Sequence, residues 1–352
     1  MALFNLCFSQ RVGSGNVQKE SDYRSREVYW DIVKSLLIFL VILGHVIQVF
    51  GLFEGGFWGN GLFKCIYMFH MPMFMVISGY FAVHSIERRG VKSLIRYAFR
   101  LLLPCIGLGI VILLLSACER GMSAFAASIG ILWFLIVLFE CVCLYFLLTK
   151  LKNKMFKIMV AIGVIPVALL IAELQVNWLP WPFKWQFTYL WPMFLIGVCL
   201  KKNNFSPELI NFKWAIFVVL FACLWFFFSP DWYVYKKPLT LEYDSVLVDV
   251  WRSICALVGC LAFLFICKQL TPVLGNISLF CGIGRGTLAL YALQGLLLYV
   301  WEVLLHGTSF TTSNYYVLIL MAGLITVSLY WVYRMTSKLP LIGALLYGEI
   351  KK

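Results

Sequence analysis

Apolar residues run through this chain in long blocks separated by short polar breaks, and the blocks share a length. Stretches of roughly 20 residues, enough to cross the hydrocarbon of a bilayer as a helix, occupy 31–50, 62–84, 94–117, 129–149, 155–172, 187–200, 212–229, 245–267, 288–305 and 314–333. A backbone in hydrocarbon must satisfy its own hydrogen bonds, which within one segment only a helix does. The pattern therefore predicts an all-α fold, a polytopic transmembrane bundle of about ten helices. The fifth block contains Pro166, and the sixth is short with Pro192 inside it. If both were re-entrant, eight crossings would remain with the same orientation. No internal repeat and no long polar domain interrupts the series.

Composition agrees. Of 352 residues 62% are hydrophobic and 13% charged, against roughly 25% charged in a soluble domain. The net charge of +13 does not form a basic face for nucleic acid, because the cations sit in clusters between apolar blocks. With the N-terminus inside, 22 Lys and Arg fall on the cytoplasmic side and six outside, with Lys34 inside the first block. That asymmetry is the positive-inside rule and puts both termini in the cytoplasm. Residues 1–28 read as a cytoplasmic tail or surface helix, 29–336 as the transmembrane domain, and 337–352 as a cytoplasmic tail. The location expected is the inner or plasma membrane, in many passes. Ala2 to Phe8 are too few for a signal-peptide core. The twelve Cys form no CxxC pair, and Cys141 and Cys143 point to different sides of a helix. They read as packing residues, with no metal site and no disulfide framework.

Ionisable groups inside a span are costly and mark function. The first block holds Asp31, Lys34, His45 and Gln48. Lys34 and His45 are eleven residues apart, which on a helix is about 20° beyond three turns and about 16 Å along the axis. Asp31 precedes Lys34 by three residues and Gln48 follows His45 by three, so all four form one polar stripe. It must face the bundle interior or water. A lone intramembrane His is often a packing residue, but one aligned with Lys and Asp is suited to accepting a proton from a hydroxyl. His70 lies in the outer half of the second block, at the depth expected for His45, before Pro72, Ser78 and Gly79. Pro72 frees a backbone carbonyl and Gly79 permits close helix approach. The largest outer connection, 230–250, mixes Trp232, Tyr233 and Tyr235 with Asp231, Glu242 and Asp249. Such rings could hold a sugar, and they equally suit an interfacial belt.

Here the residues resemble a family. Lys34, ten intervening residues and His45 match the basic-x10-His motif of the acyltransferase family 3 membrane proteins. The run from Tyr29 to Lys34 and from Val41 to His45 looks like that family's opening, and Phe69 to Phe74 with Ser78-Gly79-Tyr80 resembles its second helix. Weaker matches follow at Leu132 to Leu135, Met193 to Gly197, and Gly284 to Leu288 before Tyr291. The resemblance implies transfer of an acyl group, commonly acetyl from acetyl-CoA or another acyl-CoA, to a hydroxyl on a cell-surface carbohydrate or its lipid-linked precursor. His45 would be the essential His, as general base or transient acyl carrier, and Lys34 its basic partner. Many relatives carry a His where this chain has Gln294, so no catalytic role passes to that position.

The candidate catalytic set is His45, Lys34, Asp31 and His70, with Gln48, Ser78, Trp133, Glu140 and Arg252 as substrate-binding positions and no metal ligands. Glu140, mid-span, would orient a His, carry a proton or make a structural hydrogen bond. Arg252 would bind an anionic group on the acceptor or anchor its helix at the interface. The expected partners are the bilayer, acyl-CoA and a carbohydrate acceptor. The rival reading is a transporter or flippase of lipid-linked glycans using the stripe as a substrate path. A polysaccharide polymerase or ligase would need a large outer loop with several Arg and His, and the loop at 230–250 has no His.

Overall fold

A computed structural model describes residues 17–54, 56–115, 128–173, 184–236, 240, 242–301 and 310–349. The first expected span and the second part of the expected tail form one continuous helix, α1, over Val17–Phe50. At 34 residues it is about 50 Å long, well beyond a hydrocarbon core of about 30 Å. Its apolar part is Glu27–Phe50. Next come α2 (Gly61–Tyr67), α3 (His70–Arg89), α4 (Val91–Leu115), α5 (Trp133–Lys150), α6 (Lys154–Glu173) and α7 (Lys184–Lys202). The second half holds α8 (Ala215–Phe227), α9 (Tyr243–Leu274), α10 (Ser278–Arg285), α11 (Thr287–Tyr299), α12 (Tyr315–Thr336) and α13 (Pro340–Tyr347).

Every apolar block is helical where described, so the all-α bundle stands. The crossings are uneven. Among the described residues six helices are long and apolar enough to span: α1, α2–α3 as one unit, α4, α5, α9 and α12. The pair α10–α11, bent by 76°, makes a seventh if its halves count as one. Helix α8 has only 13 residues, about 20 Å, and α6 and α7 each contain a proline, Pro166 and Pro192. Within the segment read as a C-terminal tail, α13 packs its apolar residues against α4 and α11.

The centre of the bundle is α1. It packs against α3, α9, α10, α11 and α12, with Ile32, Val33, Leu37, Ile38 and Ile47 wholly buried. Tyr29 donates to the Leu264 carbonyl of α9 at 3.0 Å. Against it stands a second pair, α3 and α7, in backbone contact. A Cβ at Gly79 would strike the Phe194 carbonyl, and one at Gly197 would strike the Val76 carbonyl. Close approach through small residues replaces the hydrophobic driving force that lipid does not supply. At one end of the bundle, Glu87 of α3 accepts from Tyr145 of α5 at 2.8 Å and pairs with Lys202 of α7 at 3.0 Å. The outer surface is apolar, as lipid requires: Met159 and Ile162 on α6, Phe226 on α8, and Leu320 and Leu324 on α12 are all exposed.

Gly197→Leu forces overpacking at a backbone contact and should lower stability by about 1–3 kcal/mol or more, read as the thermal midpoint of the detergent-solubilised protein. Gly163→Ala, at a position with open space around it, is the control and should leave the midpoint unchanged or higher.

Candidate active site

The stripe on α1 has two ends. At the inner end Lys34 Nζ lies 2.7 Å from Asp31 Oδ1, and Arg285 Nε lies 3.7 Å from Asp31 Oδ2. Arg285 arrives because α10 packs its backbone on α1: a Cβ at Gly284 would fall on the Asp31 carbonyl. Its guanidinium also donates to the Cys281 carbonyl at 3.1 Å. Immediately after it the chain turns by 76° into α11, with the Thr287 hydroxyl donating to the Gly284 carbonyl at 2.7 Å. Two cations thus share one carboxylate beside a helix N-terminus, an arrangement that favours anions.

At the outer end His45 Nδ1 is 2.7 Å from Gln48 Oε1, and Tyr67 donates its hydroxyl to the same oxygen at 3.2 Å. An amide oxygen only accepts, so Nδ1 of His45 carries the proton and Nε2 presents a lone pair. Gly44 makes room for this arrangement, because a Cβ there would meet the Tyr67 ring. His70 Nδ1 is 2.9 Å from the Ile66 carbonyl one turn earlier, which fixes the same tautomer. Its ring lies 4.6 Å from that of Tyr67. Tyr67 thus touches both the Gln48 that holds His45 and the ring of His70, so one cluster joins α1, α2 and α3.

Beside His70 lies a small cleft, with room for only about one or two water molecules as it stands. Trp133, Tyr189, Tyr235 and Arg252 line it with His70. Arg252 of α9 is 2% exposed, forms a short ion pair with Asp249, and sits 5.1 Å over the Tyr189 ring. Burial pushes the Tyr233 phenol above its ordinary value, so it remains a neutral O–H group.

Of the sequence-derived positions, Asp31 and Lys34 meet at the inner end, His45, Gln48 and His70 at the outer end, and Trp133 and Arg252 in the cleft wall. Glu140 is half-buried seven residues below Trp133 on α5, about 10 Å deeper and within about 20° of the same face. Ser78 is eight residues past His70, about 12 Å deeper and turned about 80° away. Sequence reasoning missed Arg285, which read as a topology charge, and Tyr67, whose partner Gln48 is 19 residues away. It also missed Asp249 as the partner of Arg252, although the i, i+3 spacing signalled it. Among the described residues no group of three or more His, Cys, Asp or Glu is placed to hold a metal ion.

Comparison with known proteins gives one family and two curated relatives. The family described as "Acyltransferase domain" matches residues 27–334. The chain is 30% identical over 313 residues to the nodulation protein NolL of Sinorhizobium fredii (strain NBRC 101917 / NGR234), covering 80% of this chain and 81% of that protein. It is 26% identical over 311 residues to the nodulation protein NolL of Mesorhizobium japonicum (strain LMG 29417 / CECT 9101 / MAFF 303099), covering 80% and 79%. No solved structure matches the chain.

The inner cluster makes a prediction independent of activity. Asp31→Asn leaves Lys34 and Arg285 facing each other without their shared carboxylate and should destabilise the fold by about 1–3 kcal/mol. Adding Lys34→Met to that background should recover part of the loss in denaturant titrations of the solubilised protein. Equal stability of wild type and Asp31→Asn would dismiss the cluster as a structural contact.

Proposed function

Because this chain belongs to the membrane acyltransferase family that matches it over residues 27–334, we propose that it is an O-acyltransferase of the inner or plasma membrane. It moves an acetyl or other acyl group from acyl-CoA, bound from the cytoplasm, to a hydroxyl of a cell-surface carbohydrate or its lipid-linked precursor. One observation carries this reading. A single helix holds a tautomer-fixed imidazole, His45 on Gln48, three turns outward from the Lys34–Asp31–Arg285 cluster.

The inner cluster suits the phosphates of CoA. Lys34 and Arg285 supply charge-assisted donors, and the N-terminus of α11 adds backbone N–H groups. From there the pantetheine arm runs outward along the stripe and carries the thioester toward His45. The acceptor hydroxyl enters from outside through the cleft beside His70. His45 Nε2 takes the hydroxyl proton as the oxygen attacks the acyl carbon, and Gln48 holds the ring and stabilises the imidazolium through the Nδ1–H. The C–S bond breaks, the imidazolium returns its proton to the departing thiolate, and free CoA leaves inward. The ester leaves outward. Tyr67 and His70 stand between the cleft and the base.

The test uses inverted membrane vesicles with labelled acetyl-CoA and follows label into envelope glycan. His45→Ala should reduce transfer by at least about 100-fold, the scale of a lost general base. Undiminished transfer by a stably inserted His45→Ala protein would end the catalytic assignment. Lys34→Ala should raise the KM for acyl-CoA about tenfold with kcat little changed, since it removes binding common to ground and transition states. Gln48→Leu should instead lower kcat by about 10–100-fold, as loss of an orienting partner does. Gln294→Ala should change the rate less than either.

A further inference from the structure

We propose that the end of the bundle where α3, α5, α6 and α7 meet binds an anionic phospholipid, its phosphate headgroup on the lysines of the α5–α6 turn and its acyl chains along α6. This binding does not rest on the transferase reading above. The turn carries Lys150, Lys152, Lys154 and Lys157. The last two residues of α3 are arginines, and the last two of α7 are lysines. Three of these helix ends are tied together through Glu87, which Tyr145 of α5 and Lys202 of α7 both reach. Lys150 follows Tyr145 by five residues, about 7.5 Å along the axis, and α6 begins at Lys154, four residues after α5 ends. Asn153 fixes that start, its side chain accepting from the Met155 and Phe156 amides at 2.8 and 3.2 Å.

Charge asks for an anion here. Over residues 86–90, 148–160 and 199–204 the chain sets eight cations against one carboxylate, Glu87. Glu87 carries a single charge and is already bridged by Lys202 at 3.0 Å, so it cannot balance the rest. Crowded like charges beside a low-dielectric phase repel, and a phosphate among them relieves that cost. The neighbouring surface decides which phosphate compound fits. Met155, Ile158, Met159 and Ile162 are all exposed, and their i, i+3, i+4, i+7 spacing makes them one face of α6. Lys152 and Lys154 are exposed at the end of that face. A soluble phosphate compound would answer the lysines and leave the apolar face bare, whereas a phospholipid covers both. The headgroup must be anionic overall, because a zwitterionic one brings its own cation to a site short of negative charge. Basic clusters at a membrane surface gain roughly fivefold in affinity for anionic lipid per cation.

The experiment titrates the detergent-solubilised full chain with dioleoyl phosphatidylglycerol and, separately, with dioleoyl phosphatidylcholine, and reads bound lipid by native mass spectrometry. Phosphatidylglycerol should bind about tenfold or more tightly than phosphatidylcholine. Lys152→Gln alone should lower phosphatidylglycerol affinity about fivefold, and Lys152→Gln with Lys154→Gln should remove most of the preference. The charge-matched control, Lys268→Gln with Arg334→Gln, neutralises cations of α9 and α12 and should keep the preference. All these variants should melt at the wild-type midpoint. Equal binding of the two lipids, a preference intact without Lys152 and Lys154, or the same loss in the control would each overturn the proposal. CoA is the third probe. If it displaces phosphatidylglycerol at an equal or lower concentration, and Lys152→Gln with Lys154→Gln weakens CoA in step, the site belongs to a soluble phosphate compound and the lipid assignment falls.

Discussion

An aspartate, a lysine, a histidine and a glutamine on one face of a helix cannot all look into lipid, and α1 carries this face through the hydrocarbon. An unsatisfied polar group there costs several kcal/mol, so α1 must lie where other chain segments can answer it. It occupies the middle of the bundle, with partners on every side. Each polar group on it is met at short range: Lys34 and Arg285 around Asp31, Gln48 on His45, Tyr67 on Gln48. The wholly buried Ile and Leu positions of α1 carry the ordinary packing. The stripe keeps partial access, which a path for polar substrates needs.

Two backbone devices bring those partners close enough. Gly284 lets α10 rest on the Asp31 carbonyl, and the 76° turn that follows begins α11 at Thr287, three residues on. A straight helix over 278–299 would put Arg285 in mid-span and leave no helix N-terminus beside Lys34. At the other end Gly44 admits the Tyr67 ring, while the break between α2 and α3 frees the Ile66 carbonyl to orient His70. Broken helices at membrane depth occur where they line a protein interior, and both breaks do so here.

The sequence made the bundle and the α1 stripe legible, because both rest on local periodicity. Lys34 and His45 could be read as one face from their spacing alone. Gly79 was readable as a site of close approach, and Gly197 proved to be its partner from another helix. What stayed hidden depends on which helices meet. Arg285 counted as a cytoplasmic charge until α10 brought it to Asp31. Tyr67 was one aromatic among many until it reached Gln48. In the loop at 230–250 the rings fitted a membrane belt as well as a sugar site; the structure adds that Tyr233 and Tyr235 line the same cleft as His70 and Arg252. The weak fifth and sixth blocks were visible from their prolines and length, but the shortness of α8, apolar throughout, was not.

The same packing bears on the carrier alternative. Alternating access rocks one half of a bundle against the other around a fixed site, which needs an interface that slides. The contacts that hold the stripe are of the opposite kind. At Gly79 with Phe194, Gly197 with Val76, and Gly284 with Asp31, backbone lies on backbone with no room for a single added carbon. The Glu87–Lys202–Tyr145 contact ties α3, α5 and α7 at one end of the bundle. Packed cores pass between discrete arrangements and do not deform continuously, so these contacts favour a rigid frame. A rigid frame can still serve both faces of the membrane if the donor itself spans the distance. The separation of about 16 Å between Lys34 and His45 suits a long, flexible arm anchored by its phosphates at one end and reacting at the other. In that arrangement the moving part is the substrate, and α1 needs only to stay where its polar face holds it.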